Sequence, residues 1–562
     1  MKRRNFILNF FLMILAFFFG YTIKKDGTNM TLQRIDTSMV RGKYRRTVAE
    51  EIGDLSEFKA RGNSITEKAT NEFTDRGINI KWFGAKGDAK EDDTASIITA
   101  ISTLSDGDTL FFPKGTYLVS NTIFIDKISN IRLLGSSGAI IKKKETGREY
   151  SLLYIYKTEN LIVENISFIG FRNKIENLVK GDYGLKIQSG NNIKIINCIF
   201  KNFADSCFGV GAKTNRDLQN IQTSNNIWVL NNYFENVWQT STTPAGAKNY
   251  FFENNVVKDL FGSLKFASRN SLSNNIKILN NIISGVGNGS TGIEVANYMN
   301  LEIEGNIINN VDYGINFYIN QQASSYPTNI ETININNNII TNASVSGVRI
   351  SNKSIAKKIG IFSVKITSNT IKNCSGFGIN FSGNKMENID ISQNLIKSVS
   401  GDNILISCDY EEDNGKIIIR NNIIDDFKTF AVNIQNNNST NYVDVYVDNN
   451  KGFSDITNSL FLCTTKPNKY NFFIESNNVK CYSYCLIISY ALRLTLREND
   501  FTSSNGIAVN LSSKESFVRN NNIKAPVTAI RHDNGSTGIT YTIGNFIEGT
   551  IENNGQTLTS LS

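Results

Sequence analysis

Short stretches of alternating apolar and polar residues recur along most of this chain. NIKILNNIISGV from Asn275, NLEIEGNIINNV from Asn300 and NIDISQNLIKSV from Asn388 share one pattern. In NIKIL the apolar Ile276 and Ile278 flank Lys277, which is the period of a β-strand that buries one face. Each phrase therefore predicts a short strand.

One asparagine in each phrase marks the repeat. The number of residues between successive markers is in the twenties to low thirties. This period is typical of a solenoid of stacked strands. The markers are Asn232, Asn255, Asn281, Asn306, Asn338, Asn369, Asn394, Asn422, Asn450, Asn478, Asn499, Asn522 and Asn545.

A second phrase, opened by a small residue, lies between the markers, as in TGIEVAN, YGINFYI and SGVRISN. Every repeat therefore carries at least two strands. The predicted fold class is all-β, a right-handed parallel β-helix solenoid from about residue 105 to 555. We expect the marker asparagines to form one column at one corner. There they tolerate left-handed or bridge backbone geometry and bond from coil to coil.

The segment before the repeats predicts a short helix that caps the solenoid. Asp92 and Asp93 precede an amphipathic run that contains Ile97, Ile98, Ile101 and Leu104, so one of the two aspartates is a natural N-cap. Such a helix would cover strand edges that the first coil leaves unpaired.

The motifs FGAKGD, DDT and FFPKGTYLVS resemble the opening of the pectate-lyase-like superfamily, which includes rhamnogalacturonases, epimerases and phage tailspikes. The resemblance covers about residues 78–200. It implies an exported β-helix that binds or cleaves polysaccharide, and it implies that Asp92 and Asp93 are cap residues rather than catalysts. TVAEEIGD further upstream resembles phage appendage proteins, which implies a trimer if that likeness holds.

The N-terminus predicts export. Lys2, Arg3 and Arg4 precede an apolar run from Phe6 to Ile23, which we expect to be a helix that is either a cleaved signal or a membrane anchor. The predicted domains are this segment (1–25), a stalk or linker with short helices (26–77) and the β-helix (78–562). The mature chain is expected to be extracellular, secreted or anchored to the membrane.

Charge and cysteine content narrow the function classes. The formal net charge is +8, but five basic residues and no acidic residue lie within the first 25 residues. The remainder of the chain is therefore close to neutral, and we expect no nucleic-acid-binding surface. Seven scattered cysteines without a CxxC pair predict buried free thiols, with Cys463 pairing to Cys481 or Cys485 as the alternative.

Metal and histidine chemistry find little support in the sequence. His532 is the only histidine, and we interpret it as a turn residue. The motif set of polygalacturonases is absent, so their mechanism is not carried over. No cofactor or metal is expected, except calcium if the chain is a lyase, and Asp409–Asp413 is the dense acidic cluster for that case.

The outward positions of the second phrase are the candidate site. Lys265, Asn316 and Arg349 are expected to bind substrate, with Trp228, Trp238 (placed in a loop) and Tyr318 stacking on sugar rings. The acid and base candidates are Asp182, Asp205, Glu294 and Asp312. If Asp182 and Asp205 lie on adjacent coils, their carboxylates could form a pair of the retaining-glycosidase type. For each residue the alternative is structural: neighbouring charges neutralise one another or shape a turn.

Three functions compete at this stage. The first is an exported enzyme, a glycoside hydrolase or polysaccharide lyase that cleaves a uronate-containing glycan. The others are a non-catalytic glycan-binding surface or appendage protein and a polysaccharide epimerase. Polysaccharide is the expected partner in every case. The fold alone does not decide among the three functions.

Overall fold

The computed structural model describes residues 21–26, 29–34, 77–144, 150–172, 182–211, 224–242, 247–267, 273–319, 329–352, 360–384, 386–409, 415–435, 442–456, 460–465, 469–533, 539–554 and 557–560. From Ile78 onward the strands join into one sheet whose pairings are all parallel. The predicted fold, an all-β parallel β-helix with a short N-terminal helix, is confirmed.

Each coil contributes strands to three parallel ladders, which is consistent with the prediction of at least two strands per repeat. Ladder A contains β7 (Ile123–Asp126), β10 (Tyr150–Tyr156), β13 (Asp182–Gln188), β20 (Ser263–Ala267), β29 (Phe377–Asn384), β32 (Ile404–Asp409), β35 (Phe430–Gln435) and β38 (Leu460–Thr465).

Ladder B carries the repeated NIKIL-type phrase. Its strands are β3 (Ile78–Asn79), β5 (Thr109–Phe112), β8 (Ile131–Gly135), β11 (Glu159–Glu164), β14 (Asn191–Ile196), β16 (Ser224–Leu230), β18 (Ala247–Glu253), β21 (Ser273–Leu279), β23 (Tyr298–Glu304), β25 (Asn329–Asn336), β27 (Gly360–Thr367), β30 (Met386–Ser392), β33 (Gly415–Arg420), β36 (Val443–Asp448), β39 (Tyr470–Glu475), β45 (Ile539–Ile543) and β47 (Thr557–Ser560).

Ladder C follows the asparagine corner. Its strands are β4 (Asp88–Asp92), β6 (Gly115–Val119), β9 (Ala139–Lys143), β12 (Ser167–Ile169), β19 (Val256–Leu260), β28 (Thr370–Lys372), β31 (Leu395–Lys397), β34 (Ile423–Asp425), β37 (Lys451–Ser454), β40 (Asn478–Cys481) and β42 (Asp500–Ser503).

Within the described residues, nine long strands turn a corner and serve two ladders. Seven run from ladder C into ladder A: β15 (Ile199–Val210), β17 (Tyr233–Thr242), β22 (Ile282–Ala296), β24 (Ile307–Tyr318), β26 (Ile339–Asn352), β44 (Asn522–His532) and β46 (Phe546–Asn553). Two run from ladder A into ladder B: β41 (Tyr484–Arg497) and β43 (Ile507–Arg519).

Inward side chains of the three ladders form one elongated apolar core. In β21, for example, Ile276 and Ile278 are buried while Lys277 between them is half-buried. Isoleucine dominates these inward positions, as expected for β-branched residues on a pleated surface. The core runs from Ile80 to Ile530 without interruption by a second domain in the described residues.

The buried asparagines form one column between ladders B and C, as predicted. From Asn255 onward, the side-chain oxygen of each accepts from the backbone N–H of the asparagine one coil earlier, for example Asn281 N to Asn306 Oδ1 at 2.9 Å and Asn306 N to Asn338 Oδ1 at 3.0 Å. The first member, Asn232, accepts from Cys198 N at 2.8 Å. The column members are Asn232, Asn255, Asn281, Asn306, Asn338, Asn369, Asn394, Asn422, Asn450, Asn477, Asn499, Asn521 and Asn545.

Two details of the predicted column are wrong. Asn477 and Asn521 are the column members in place of Asn478 and Asn522, which begin strands β40 and β44. The left-handed residue is also the one before each marker, such as Asn280 with a φ of 55°. The corner therefore divides the two tasks between neighbours: one residue turns the chain and the next bonds to the adjacent coils.

The predicted capping helix is present as α1 (Thr94–Ser102), after a 3-10 turn at Ile80–Phe83. Asp93 occupies the N-cap position, but its buried carboxylate accepts from the backbone of Lys86 at 2.6 Å and of Gly87 at 3.2 Å. Asp92 accepts from Thr94 N at 3.0 Å. Both aspartates therefore hold the FGAKGD loop and the helix start together.

The N-terminal predictions are only partly covered by the structure. Residues 1–20, which include most of the predicted helix over 6–23, lie outside the described residues, as do residues 35–76 of the predicted stalk. Tyr21–Asp26 forms strand β1, antiparallel to β2 (Asn29–Arg34), so the predicted helix is wrong over residues 21–23. Tyr, Thr and Ile favour strands, and pairing satisfies their main chain. No helix within the described ranges has the length and apolar character needed to span a membrane.

Candidate functional site

One outward row follows ladder A along the solenoid. The strand register aligns ten positions at coil spacing, so nine steps of about 4.8 Å give a row about 43 Å long. The row consists of Phe124, Tyr154, Lys186, Gly209, Ser241, Lys265, Glu294, Asn316, Arg349 and Asn380. The sequence-predicted column is thus continuous, and Ser241 occupies a position of the row that the prediction missed.

Lys265, Glu294 and Tyr318 form a bonded cluster in the middle of this row. Lys265 Nζ lies 2.7 Å from Glu294 Oε1, and Tyr318 Oη donates to the same oxygen at 2.7 Å. Lys265 Nζ also lies 6.0 Å from the centroid of the Tyr318 ring. These three side chains come from β20, β22 and β24, so the cluster depends on the register of three successive coils.

The cluster fixes the protonation state of each member. Burial raises the pKa of Glu294, but the Lys265 ammonium together with hydrogen bonds from Ser263 and Tyr318 outweighs it, and the net pKa is lowered. Burial lowers the pKa of Lys265, but the Glu294 carboxylate outweighs it and the net pKa is raised. Burial and the same carboxylate raise the pKa of Tyr318. Near neutral pH the cluster therefore holds an ammonium, a carboxylate and a neutral phenol.

Asn316 and Arg349 continue the row on the next two coils. Arg349 Nη1 donates to Tyr313 Oη at 3.4 Å, and its guanidinium lies 5.5 Å from the Tyr313 ring centroid. The side-chain oxygens of Asn316 and Asn380 accept no hydrogen bond from the described residues. Both of these oxygens are buried, so the Arg349 guanidinium, which is suited to carboxylate groups, is the charged group that this part of the row presents to a ligand.

An aromatic end of the row escaped the sequence prediction. Phe124 is 55% exposed, and its ring contacts Tyr154 edge-on with a centroid distance of 5.5 Å. Tyr154 in turn stacks on Tyr156 at 6.4 Å and donates to Gln188 Oε1. The signal was the alternation in TIFID and LLYIY, which places these rings outward before the marked repeat begins.

Asp182 and Asp205 lie on adjacent coils, but inside the protein. Their strands β13 and β15 pair in parallel, and the Asp182 and Asp205 carboxylates interact electrostatically. Asp182 has no exposed surface and Asp205 is 6% exposed. The predicted proximity is present, but both carboxylates are buried and neither belongs to the outward row.

Asp312 bonds within its own neighbourhood rather than joining the other carboxylates. One of its oxygens accepts from Gly289 N at 2.8 Å and the other accepts from Ser344 Oγ. Its carboxylate therefore links the strands β22, β24 and β26 of three successive coils. Of the four acid and base candidates, Glu294 alone lies in the outward row.

Trp228 lies on a different ladder from the row. It belongs to β16 of ladder B, where its ring stacks on Phe251 at 5.6 Å with an interplanar angle of 8°, and Lys194 Nζ lies 5.4 Å from it. Both faces of the indole are therefore already engaged along the solenoid axis. Strand alternation predicted an outward ring correctly but could not tell which side of the coil carries it.

Trp238 lies in strand β17, not in a loop as expected. Its carbonyl accepts from Gly262 N at 2.7 Å, and its indole Nε1 is 3.0 Å from where a Cβ on Gly262 would stand. Gly262 thus leaves room for the indole, and Trp238 packs against the neighbouring coil.

Metal and thiol chemistry find no support in the described residues. No group of three or more His, Cys, Asp or Glu side chains converges there, and residues 410–413 of the acidic cluster lie outside them. Six cysteines are buried free thiols, with Cys481 Sγ 3.3 Å from Cys485 Sγ, while the Cys463 side chain lies outside the described set. His532 is buried in strand β44 rather than at a turn.

A family model supports the resemblance seen in the opening motifs. The model described as rhamnogalacturonase A/epimerase, pectate lyase-like, matches residues 77–316. This range contains α1 and the row as far as Asn316. The predicted resemblance to the pectate-lyase-like superfamily is confirmed over this part of the chain.

Curated relatives match short parts of the chain. The pre-neck appendage protein of Bacillus phage phi29 is 25% identical over 206 residues, covering 34% of this chain and 22% of that protein. The plasmin and fibronectin-binding protein A of Streptococcus pneumoniae is 31% identical over 93 residues, covering 16% of this chain and 13% of that protein. The chain thus spans less than a quarter of the length of these relatives.

Solved structures with a similar fold include a bacterial surface adhesin and an enzyme. The S. pneumoniae surface adhesin PfbA has a TM-score of 0.41 at 17% identity, over 69% of this chain and all of that one. An exopolygalacturonase from Thermotoga maritima has a TM-score of 0.34 at 16% identity, over 72% of this chain and 92% of that one.

Proposed function

We propose that this pectate-lyase-like β-helix is a non-catalytic glycan-binding protein whose outward row on ladder A binds an acidic polysaccharide. The observation that carries the proposal is the Lys265–Glu294–Tyr318 cluster. It places the Lys265 ammonium, the Glu294 carboxylate and the Tyr318 phenol on one face, at the spacing of successive coils. An extended polymer with repeated polar groups matches such a row better than a small ligand does.

The charge of the row favours an acidic ligand. Lys265 and Arg349 supply two cations against the single carboxylate of Glu294, while Lys186 is buried with its Nζ 3.6 Å from the centroid of the Tyr183 ring. Arg349 is suited to hold a uronate carboxylate because a guanidinium binds carboxylates through paired N–H donors. Phe124 and Tyr154 at one end add apolar ring surface against which a sugar can pack.

Protonation states argue against cleavage at this row. A glycosidase needs two carboxyl groups, one of them protonated, whereas Glu294 is the row's only carboxylate and its pKa is lowered. A lyase needs a base that is free near neutral pH, whereas the pKa of Lys265 is raised. Hydrolysis, β-elimination and epimerisation therefore lack a matched pair of a free base and a protonated carboxyl group at this row.

Export would place the row where glycans are found. The basic start and the apolar run from Phe6 to Ile23 remain the basis for proposing an extracellular or surface location. Cleavage of that segment and assembly of the chain into a trimer remain predictions.

Binding to a panel of acidic and neutral polysaccharides tests the proposal. Lys265→Ala should weaken binding of the best acidic glycan at least about tenfold, because it removes a cation and leaves the Glu294 carboxylate unpaired. Lys277→Ala is the matched control, since Lys277 pairs with Glu302 at 2.7 Å on ladder B. Affinity should also fall as ionic strength rises.

Cleavage assays on the same panel separate the alternatives. Reducing ends and unsaturated uronate should not accumulate with any substrate. Their release by the parent protein would establish an enzyme instead, and equal loss of binding in the Lys265 and Lys277 variants would move the glycan away from ladder A.

A further inference from the structure

A lysine and an aspartate face one another in the interior near the start of the solenoid. Lys143 ends β9 and is 1% exposed, and Asp182 begins β13 with no exposed surface. Lys143 Nζ lies 3.7 Å from Asp182 Oδ1. The proposed glycan row does not use this pair.

The pair lies against two aromatic rings and near the charged groups of Arg172 and Asp205. Lys143 Nζ lies 4.1 Å from the centroid of the Tyr150 ring and 5.8 Å from that of Phe171, and it donates to Tyr150 O at 2.8 Å. Asp182 Oδ1, which faces the amine, accepts no hydrogen bond from the described residues. A buried ion pair repays its desolvation only with complete hydrogen bonding, so this arrangement is costly as a salt bridge.

Burial shifts both groups toward their neutral forms. It lowers the pKa of Lys143 to about 8, against the opposing effect of the Asp182 and Asp205 carboxylates. It also raises the pKa of Asp182, against the hydrogen bond from Ala204 and the charges of Lys143 and Arg172. A neutral amine beside a protonated carboxyl group is a nucleophile beside an electrophile.

The second carboxyl oxygen is held by the backbone. Asp182 Oδ2 accepts from Ala204 N at 2.7 Å. A backbone N–H at this distance is placed to stabilise negative charge that develops on Oδ2 when the carbonyl carbon is attacked. Asp205 interacts electrostatically with both Lys143 and Asp182, so a second carboxylate is close enough to influence proton movement.

We propose that Lys143 and Asp182 condense to form an intramolecular isopeptide bond. The neutral Nζ attacks Cγ of the protonated Asp182 carboxyl group, and a C–N bond forms. One amine proton passes to Oδ1 through Asp205, the C–Oδ1 bond breaks, and one water molecule leaves. The product is a neutral amide, and the reaction needs no oxidant, reductant or activated donor.

The bond would cross-link consecutive coils at the end of the solenoid that follows α1. It joins ladder C to ladder A across the chain from residue 143 to residue 182 and converts two buried ionisable groups into one amide. A covalent ring of this kind restricts the unfolded chain as a disulfide does, but reducing conditions do not open it.

Intact-mass spectrometry of the denatured full-length chain tests the proposal. The parent protein should be lighter than its sequence mass by one water molecule. A proteolytic digest should contain a branched peptide that joins the Lys143 segment to the Asp182 segment. Lys143→Arg and Asp182→Ala should restore the full mass, and Asp205→Ala should slow or prevent the loss of water.

Lys144→Arg is the matched control, because the Lys144 side chain is 45% exposed and pairs with Asp92 instead. This variant should keep both the water loss and the branched peptide. A parent protein at full sequence mass would overturn the proposal. A water loss that persists in Lys143→Arg would also overturn it, because dehydration would then lie elsewhere. Both the intact mass and the digest are measured on denatured chains, so the variants need not be stable.

Discussion

At the scale of single residues, the buried asparagine column shows how one side chain serves several coils. Asn306 Nδ2 donates to Ile278 O at 2.8 Å and to Asn338 Oδ1 at 2.9 Å, while its own oxygen accepts from Asn281 N at 2.9 Å. Buried main-chain groups at a corner have no strand partner there, so these bonds satisfy groups that would otherwise be desolvated without compensation.

Asn306→Ala should therefore lower the free energy of unfolding by about 2–3 kcal/mol, because it leaves a buried N–H and a buried carbonyl unsatisfied. Chemical denaturation measures this change. Asn275→Ala is the control, since Asn275 is exposed and donates one bond to Asn249, and it should change stability by no more than about 0.5 kcal/mol. Equal effects would show that the column contributes little.

At the scale of the element, glycines at the start of the ladder A strands set how closely the coils approach. In the aligned column of Gly292, Gly314, Gly347 and Gly378, a Cβ on Gly314 would stand 2.5 Å from Gly347 O and 2.5 Å from Ile340 Cγ2. The small residue that opens each second phrase is therefore required by space in the interior.

Gly314→Ala should lower the free energy of unfolding by about 1–3 kcal/mol, because the added methyl group overpacks the core between two coils. Ala431 occupies the same column further along, where a Cβ is accommodated. Ala431→Gly should cost no more than about 1 kcal/mol. Urea titration of both variants tests this order, and the reverse order would contradict the packing argument.

At the scale of the whole molecule, α1 closes the end of the solenoid that strands alone would leave open. Within α1, the side chain of Ile97 is fully buried, whereas that of the adjacent Ile98 is 43% exposed. The helix contacts β7, the first strand of ladder A. End caps matter in a repeat structure because each coil is stabilised mainly by its neighbours.

Ile97→Ala should lower the free energy of unfolding by about 2–4 kcal/mol, because it opens a cavity beneath the cap. We also expect more aggregate by light scattering, because a loosened cap uncovers strand edges. Ile98→Ala, one residue away on the exposed face, should change neither quantity measurably. Similar behaviour of the two variants would mean that the helix does not act as a cap.

The sequence by itself determined the repeat, the strand period and the polarity of each position. Period-two alternation placed Ile276 inward and Lys277 outward, and it placed Lys265, Glu294, Asn316 and Arg349 in one row. These features follow from local chemistry: a strand alternates its faces, and a buried corner needs a side chain that bonds in both directions.

Tertiary structure decided which ladder each strand joins and what each side chain meets there. Alternation exposes Trp228, but only the stacking of coils put it on ladder B against Phe251. Spacing put Asp182 beside Asp205, but only the packing of β9 and β13 buried Asp182 next to Lys143. Ladder C and the left-handed residue before each column asparagine were missed for the same reason. Coil lengths vary with the loops, so neighbours along the axis are set by long-range pairing rather than by position in the chain.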